Sequence, residues 1–311
     1  MKRKFVCIAA ILILCVGAQV QAAGYPDRPI DLVVPWGAGG GADQLGRAIG
    51  PALEKVLKIN FPVINIPGAV SGVGLAKVRA ARKDGYTISV FTADAVGADS
   101  QGKLAVHVNE FIPLARLMFA PSFLFLHYDS PMNTFEDLIA YTKKNPDKLK
   151  VAITGSGSPD DLTVKYLHQN GIKMISVPYP KPGERYASVL GKHNELLYEQ
   201  AGDVSQFILA KKMKPIVVFL PKRVDSMPDV PAIKEFGLEI FLSQYRGILT
   251  NKGVPQEKVD VLAKAIKEAY DSPSYQKFLK KMYCAPDSYM GPEEFKTFIE
   301  NDFEAYTKLW E

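Results

Sequence analysis

Val34-Pro35-Trp36-Gly37-Ala38-Gly39-Gly40-Gly41-Ala42-Asp43 is the stretch of this chain best suited to chemistry. The run from Ile30 to Val34 reads as a short buried strand feeding a glycine-rich turn, and a helical pattern begins near Asp43. Such a turn strips away side chains and aims backbone N–H groups into a small concavity at a helix N-terminus. That suits a carboxylate or a phosphate. The anion could belong to a cofactor, to a substrate that is altered, or to a ligand that is carried.

Gly37-x-Gly39-x-x-Ala42 fits the alanine-ended dinucleotide fingerprint, after a strand and before a helix. Its companion acid is missing, because Asn65 and Ile66 stand where Asp or Glu should end the next strand. The Walker lysine is absent too, so no cofactor is expected. Ser71, Ser156 and Ser158 lie on turns, but none sits in a Gly-x-Ser-x-Gly elbow, and Gly155-Ser156-Gly157 has the wrong spacing. His107, His127, His168 and His193 are scattered without metal-ligand spacing, so neither a metal site nor a catalytic residue is expected. Asp43 poses a tension, since a carboxylate repels a bound anion. Capping free N–H groups at the helix start is its expected role, with orienting a ligand-bridging water as the sharper addition.

The elements that must position these residues alternate between strand-like and helix-like, which favours an α/β architecture with mainly parallel sheets. Leu45, Ala48, Ile49, Ala52 and Val56 recur at helical spacing. Phe61 to Ile66 reads as a strand, followed by the turn Pro67 to Gly74 and a helix through Val78. Thr87 to Thr92, Phe123 to His127 and Val151 to Thr154 are further strand candidates. The last leads into Gly155-Ser156-Gly157-Ser158-Pro159 and a helix carrying Leu162, Tyr166 and Leu167. Three strand–turn–helix units therefore exist, and in a doubly wound sheet ligands lie beyond the carboxyl ends of strands, where such turns gather. Ile216 to Leu220 reads as another strand, Pro255 opens a helix, and Phe295, Phe298, Ile299, Phe303, Tyr306 and Trp310 mark an amphipathic C-terminal helix.

Lys2, Arg3 and Lys4 precede an apolar stretch from Phe5 to Val16, with small residues at Ala18, Ala22 and Ala23. This is the order of a secretory signal peptide over residues 1–22, and the apolar run is shorter than the roughly 20 residues of a spanning helix. Cleavage after Ala22 would leave a soluble periplasmic chain. Bulky Leu14 disfavours lipoprotein attachment at Cys15. The formal net charge of +5 includes those three cations, so the remaining chain is close to neutral, which argues against nucleic acid as a partner. Of the three cysteines only Cys284 would remain, with no activating base nearby, so it reads as packed and inert.

Tyr25-Pro26-Asp27-Arg28-Pro29-Ile30 followed by the Val-Pro-Trp-x-Ala-Gly-Gly-x-x-Asp turn resembles the opening of the Bug-type extracytoplasmic solute receptors. These are the binding proteins of tripartite tricarboxylate transporters. Asn65 to Gly74, Asp84-Gly85-Tyr86-Thr87, Gly155 to Ser158, Val177-Pro178-Tyr179, Pro228-Asp229-Val230-Pro231 and Gly253-Val254-Pro255 agree in order and spacing. The resemblance implies a two-lobed periplasmic binding protein of type II, with mainly parallel sheets and hinge crossovers. Lobe 1 would span 23–122 and 247–311, and lobe 2 would span 123–246. In that family the first two turns hold one ligand carboxylate through backbone N–H groups and waters. Carried over here, those positions are Trp36, Gly39, Gly40, Gly41, Ala42 and Asp43, then Ala69, Val70, Ser71 and Gly72. The second lobe would add Thr154, Ser156, Pro159 and Tyr179.

Departures from the family pattern bear on specificity. Val70 stands where many relatives carry glycine, and the segment between Ala95 and Phe111 is shorter than usual. Tyr198-Glu199-Gln200 occupies a cleft strand where relatives often carry an aspartate. Glu199 could meet an amine or hydroxyl of the ligand, or be a paired acid. Arg246 could meet a distal carboxylate or form a hinge salt bridge. The expected function is a monomeric, non-enzymatic binding protein that captures a small carboxylate and hands it to membrane permease subunits. An exported serine hydrolase, or a receptor feeding a sensor kinase, are the alternatives.

Overall fold

Leu32, Val33 and Val34 are bulky or β-branched and lie between Pro29 and Pro35, so the run is short, extended and buried as β1 (Asp31–Val34). The computed structural model describes residues 24–242 and 244–309; the signal segment expected over 1–22 and Trp310 lie outside them. After β1 come α1 (Gly41–Leu57), β2 (Val63–Asn65), α2 (Gly72–Ala80), β3 (Thr87–Thr92), α3 (Ala93–Ser100) and β4 (Phe111–Ala120). The chain then builds β5 (Ser122–His127), α4 (Phe135–Lys144), β6 (Leu149–Ile153), α5 (Pro159–Gln169), β7 (Met174–Pro178), α6 (Pro182–Leu190) and β8 (Leu196–Gln200). It finishes with α7 (Ser205–Leu209), β9 (Met213–Val218), β10 (Gln244–Asn251), α8 (Gln256–Asp271), α9 (Pro273–Lys281) and α10 (Pro292–Lys308).

Among the described residues these strands form two five-stranded sheets, ordered β2-β1-β3-β10-β4 and β7-β6-β8-β5-β9. In each, one strand runs against the other four: β10 lies antiparallel between β3 and β4, and β5 antiparallel between β8 and β9. Both reversed strands follow a passage between the sheets. β4 ends at Ala120 and β5 begins at Ser122, so Pro121 alone separates them, and the chain returns through 219–242 to β10. The fold is a two-lobed α/β architecture.

Both faces of each sheet are covered. Leu32, Val34, Ile88 and Val90 pack under α1, α8 and α9, while Val33 and Phe91 face α3 and α10. In the second sheet Leu124, Val151 and Leu196 point one way and Phe123, Phe125 and Leu197 the other. Leu45, Ile49 and Leu53 give α1 its buried stripe, each contributing about 1.5–3 kcal/mol of transfer free energy. Among the described residues no helix is long and apolar enough to cross a membrane.

β9 and β4 are among the elements that depart from the sequence reading. β9 spans Met213–Val218, not Ile216 to Leu220, because Pro215 sits at a register shift opposite Phe125, where a missing N–H breaks no ladder bond. β4 was not anticipated. Its apolar run is interrupted by Arg116, which is buried and donates to the carbonyls of Ser288 (3.0 Å) and Asp287 (2.6 Å).

Candidate ligand cleft

The turns after β1 and β6 use one device. Gly39 and Gly157 adopt φ of 87° and 90°, the left-handed region open to glycine. Four residues on, the third residue of the following helix accepts that glycine's N–H: Asp43 from Gly39 at 3.0 Å, Asp161 from Gly157 at 2.8 Å. A cation one helical turn further holds each carboxylate, Arg47 at 2.9 Å and Lys165 at 2.8 Å. Asn65 also donates to Asp43 at 3.0 Å. Burial opposes the Asp43 charge, but the Arg47, Gly39 and Asn65 bonds outweigh it and hold its carboxyl below the usual range. Asp43 thus fastens the turn, leaving the N–H groups at the start of α1 outside its reach.

The turns of one sheet pack against elements of the other. A Cβ at Gly40 would overlap the Pro182 ring at the head of α6, and one at Gly41 would overlap the Arg246 guanidinium. Val70 of the second turn lies 3.0 Å from where Gly155 would carry a Cβ. Gln101 Nε2 donates to the Gly157 carbonyl at 3.0 Å, and Lys103 Nζ to Ser156 Oγ at 3.0 Å. Turns from the first sheet therefore meet turns from the second in a closed arrangement around a cavity of about 40 Å³. At 10–15 Å³ per water, that is room for roughly three waters.

The cavity wall is charged. Arg246 on β10 donates to Gln200 Oε1 at 2.8 Å and forms a buried bidentate pair with Asp203, joining the strand of one sheet to the second lobe. Arg185 on α6 pairs with Glu199 at 2.5 Å and donates to the Tyr179 carbonyl at 3.2 Å. Burial works against both guanidinium charges, and the adjacent Asp203 and Glu199 more than offset it, raising both pKa values. Asp94, at the head of α3, is pushed up to about 7 by burial and then by Asp160 across the cleft. Burial likewise raises Asp160, and it pushes Asp203 up to about 6.

Of the sequence candidates, Trp36, Gly40, Gly41, Ala42, Thr154 and Glu199 line the cavity. The others stand back from it. Gly39 and Asp43 shape the first turn, Ser156 is exposed, Pro159 starts α5, and Tyr179 accepts from Asn194 at 2.9 Å. Ala69, Val70 and Ser71 take successive φ of 48°, 49° and 76°, a strained run for residues with a Cβ, and with Gly72 they abut the cleft without lining the cavity. Glu199 is held by Arg185, the paired-acid alternative, and Arg246 forms the salt bridge.

Thr92, Asp94, Pro182, Arg185, Gln200, Asp203 and Gln244 also line the cavity and were not singled out from sequence. The signal for Asp94 was its position just past the carboxyl end of a strand. Among the described residues no histidine lines the cavity, and no group of three or more His, Cys, Asp or Glu side chains is placed to hold a metal ion. Burial pushes the Cys284 thiol up to about 12, which suppresses the reactive thiolate.

Two α/β lobes joined by paired crossovers, closing on a polar cavity between their turns, define a periplasmic-binding-protein architecture. Residues 46–310 match the tripartite tricarboxylate transporter family receptor, and the chain belongs to that family of solute-binding proteins. It is 29% identical over 295 residues to the UPF0065 protein in the gbd 5′ region of Cupriavidus necator, covering 93% of this chain and 89% of that one. It superposes on the periplasmic binding protein BugD with a TM-score of 0.85 at 26% identity, covering 92% and 97% of the two chains. A ligand-free TctC solute-binding protein from Polaromonas is 31% identical over 92% of this chain and 98% of that one, with a TM-score of 0.67.

Proposed function

We propose that this chain is a periplasmic receptor that captures a small carboxylate and delivers it, unaltered, to the permease subunits of a tripartite tricarboxylate-type transporter. The observation that carries the reading is the head of α1. Gly41 and Ala42 open a 17-residue helix, and both line the cavity. The first N–H groups of a helix have no partner within it and carry the positive end of its dipole, so a carboxylate there is stabilised without a formal cation. Arg246 against Gly41 adds one. In this reading the lobes are 23–122 with 247–311 and 123–246, they turn about the two crossovers, and residues 1–22 are removed on export. The receptor acts as a monomer, with neither cofactor nor bond-breaking chemistry. Contacts such as Gln101 with Gly157 form only on closure, so binding and closure are coupled.

A thermal-shift screen of mono-, di- and tricarboxylates and amino acids tests this. A ligand at 100 times its Kd adds about 2.7 kcal/mol to the stability of the folded state, a shift of several degrees. At least one small carboxylate is expected to raise Tm in a concentration-dependent way. Hydrolysis of generic esters without any such shift would favour the hydrolase.

Closure also carries a pH signature. Asp94 faces Asp160 on α5, Arg185 on α6 and Arg246 on β10, with the phenols of Tyr198, Tyr245 and Tyr306 nearby. Its carboxyl sits at about 7 in the closed form and near the ordinary value of about 4 when solvated. A raised acid contributes stability that is present below about pH 4 and lost as pH rises to about 7. For an acid bearing no positive group, affinity is therefore expected to fall with rising pH in this window, the share of Asp94 being at most about tenfold per unit. Asp94→Asn should reduce the slope between pH 6 and 7, where Asp203 contributes little and the remainder belongs to Asp160, which burial also raises. Calorimetric titration across pH measures it, and a flat wild-type profile for such an acid contradicts the coupling.

A further inference from the structure

Asp94 is held as if to present one oxygen. It is 4% exposed, and its Oδ2 accepts from Thr92 Oγ1 and from Gln244 Nε2, both at 2.9 Å. Gln244 is itself fixed, because its Oε1 accepts the Ala93 N–H at 3.0 Å. Asp94 Oδ1 has no partner among the described residues, although the residue lines the cavity. Two donors on the same wall share that condition: Trp36 Nε1 and Arg185 Nε, on residues 6% and 5% exposed. Buried polar atoms in folded proteins are almost always paired. Two donors and one carboxylate oxygen left open around one cavity are the complement of a molecule with an acceptor at one end and a donor at the other.

Charge decides what the donor is. Glu199 and Asp203 are each matched by an arginine, whereas Asp94 faces Asp160 with no cation of its own in contact. A ligand bearing only carboxylates would add negative charge to a wall where acids already outnumber bases. A protonated amine at Asp94 Oδ1 removes the repulsion and satisfies the orphan oxygen together.

We infer that the ligand is a small amino-acid zwitterion, its carboxylate at the head of α1 beside Arg246 and its ammonium on Asp94 Oδ1. Thr92 and Gln244 are positioning residues that turn Oδ1 into the cavity. Glu199, the acid that sequence placed nearest this role, is taken by Arg185. The inference rests on the carboxylate reading above and narrows it to one class of acid.

Matched trios separate the two claims: L-alanine, L-lactate and propionate, and L-aspartate, L-malate and succinate, titrated calorimetrically into the full receptor at pH 7.5. In whichever trio binds, the amino member is expected to bind about 10- to 100-fold more tightly than its hydroxy and unsubstituted partners, the effect of one hydrogen bond to a charged group. Asp94→Asn should erase that difference. Equal or tighter binding of the hydroxy or unsubstituted acid by the wild type overturns the inference while leaving the carboxylate reading intact, as does an amine preference that survives in Asp94→Asn. Failure of every member to bind the folded wild type overturns the inference, and a thermal-shift screen in which no carboxylate raises Tm overturns the carboxylate reading as well. The wild-type comparison needs no variant to fold.

Discussion

Gly40→Val is expected to lower ligand affinity by at least about 100-fold, a loss of about 2.7 kcal/mol, while the protein stays folded. Gly40 precedes α1 with φ −86° and ψ 175°, a backbone any residue adopts, so the substitution brings no local strain. The obstacle is across the cleft. Its Cβ would overlap the Pro182 ring, and Pro182 is fixed at the start of α6, so two further methyl groups can be housed only by parting the lobes. A ligand whose contacts form on closure then meets a competent state that is rarely populated, and its apparent affinity falls by that fraction. Gly39→Val is the informative control. It meets nothing within 4 Å, but its φ of 87° forces a side chain into the left-handed region, so it should cost about 1–2 kcal/mol of stability. Calorimetry and chemical denaturation separate the two, and unchanged affinity in Gly40→Val would sink the account of closure.

Asp203→Ala is expected to cost about 3–5 kcal/mol of stability, because it leaves Arg246 buried and charged without its counter-charge. The Asp203 and Arg246 side chains are 2% and 5% exposed, and among the described residues Gln200 Oε1 alone would still accept from the guanidinium. Replacing both partners with apolar residues, Asp203→Leu with Arg246→Met, should recover most of that loss while abolishing carboxylate binding, since the desolvated charge is gone along with its ligand contact. Urea denaturation at pH 7.5, above the Asp203 value of about 6, reads the difference. A single-variant loss under 1 kcal/mol would mean the pair is solvated in solution.

What was legible in the sequence was local. β3 lies at Thr87–Thr92 as expected, and the glycines of the first and third turns mark positions whose φ a side chain resists. Strand, turn and helix are each specified within a few residues, so their order could be read directly. The charges of the cleft could not. Arg246 and Asp203 are 43 positions apart, and Asp94 and Gln244 are 150 apart, so their meeting depends on β10 returning to lie beside β3. Asp94 was overlooked for a physical reason as well: it follows a strand without a glycine turn, where the chain passes straight from β3 into α3. Glu199 stayed ambiguous because its partner Arg185 lies on a separate helix.

The resemblance to a receptor family proved correct, with the family match running over residues 46–310. A side chain at Gly40 would intrude on Pro182, and one at Gly41 on Arg246.

The most direct measurement is a crystal structure of the receptor with the tightest-binding acid from the thermal-shift screen. A ligand carboxylate within hydrogen-bonding distance of the Gly41 and Ala42 N–H groups, with Gly40 still packed on Pro182, is the expected result. A carboxylate bound outside the cleft, or bound within it away from the head of α1, would contradict it.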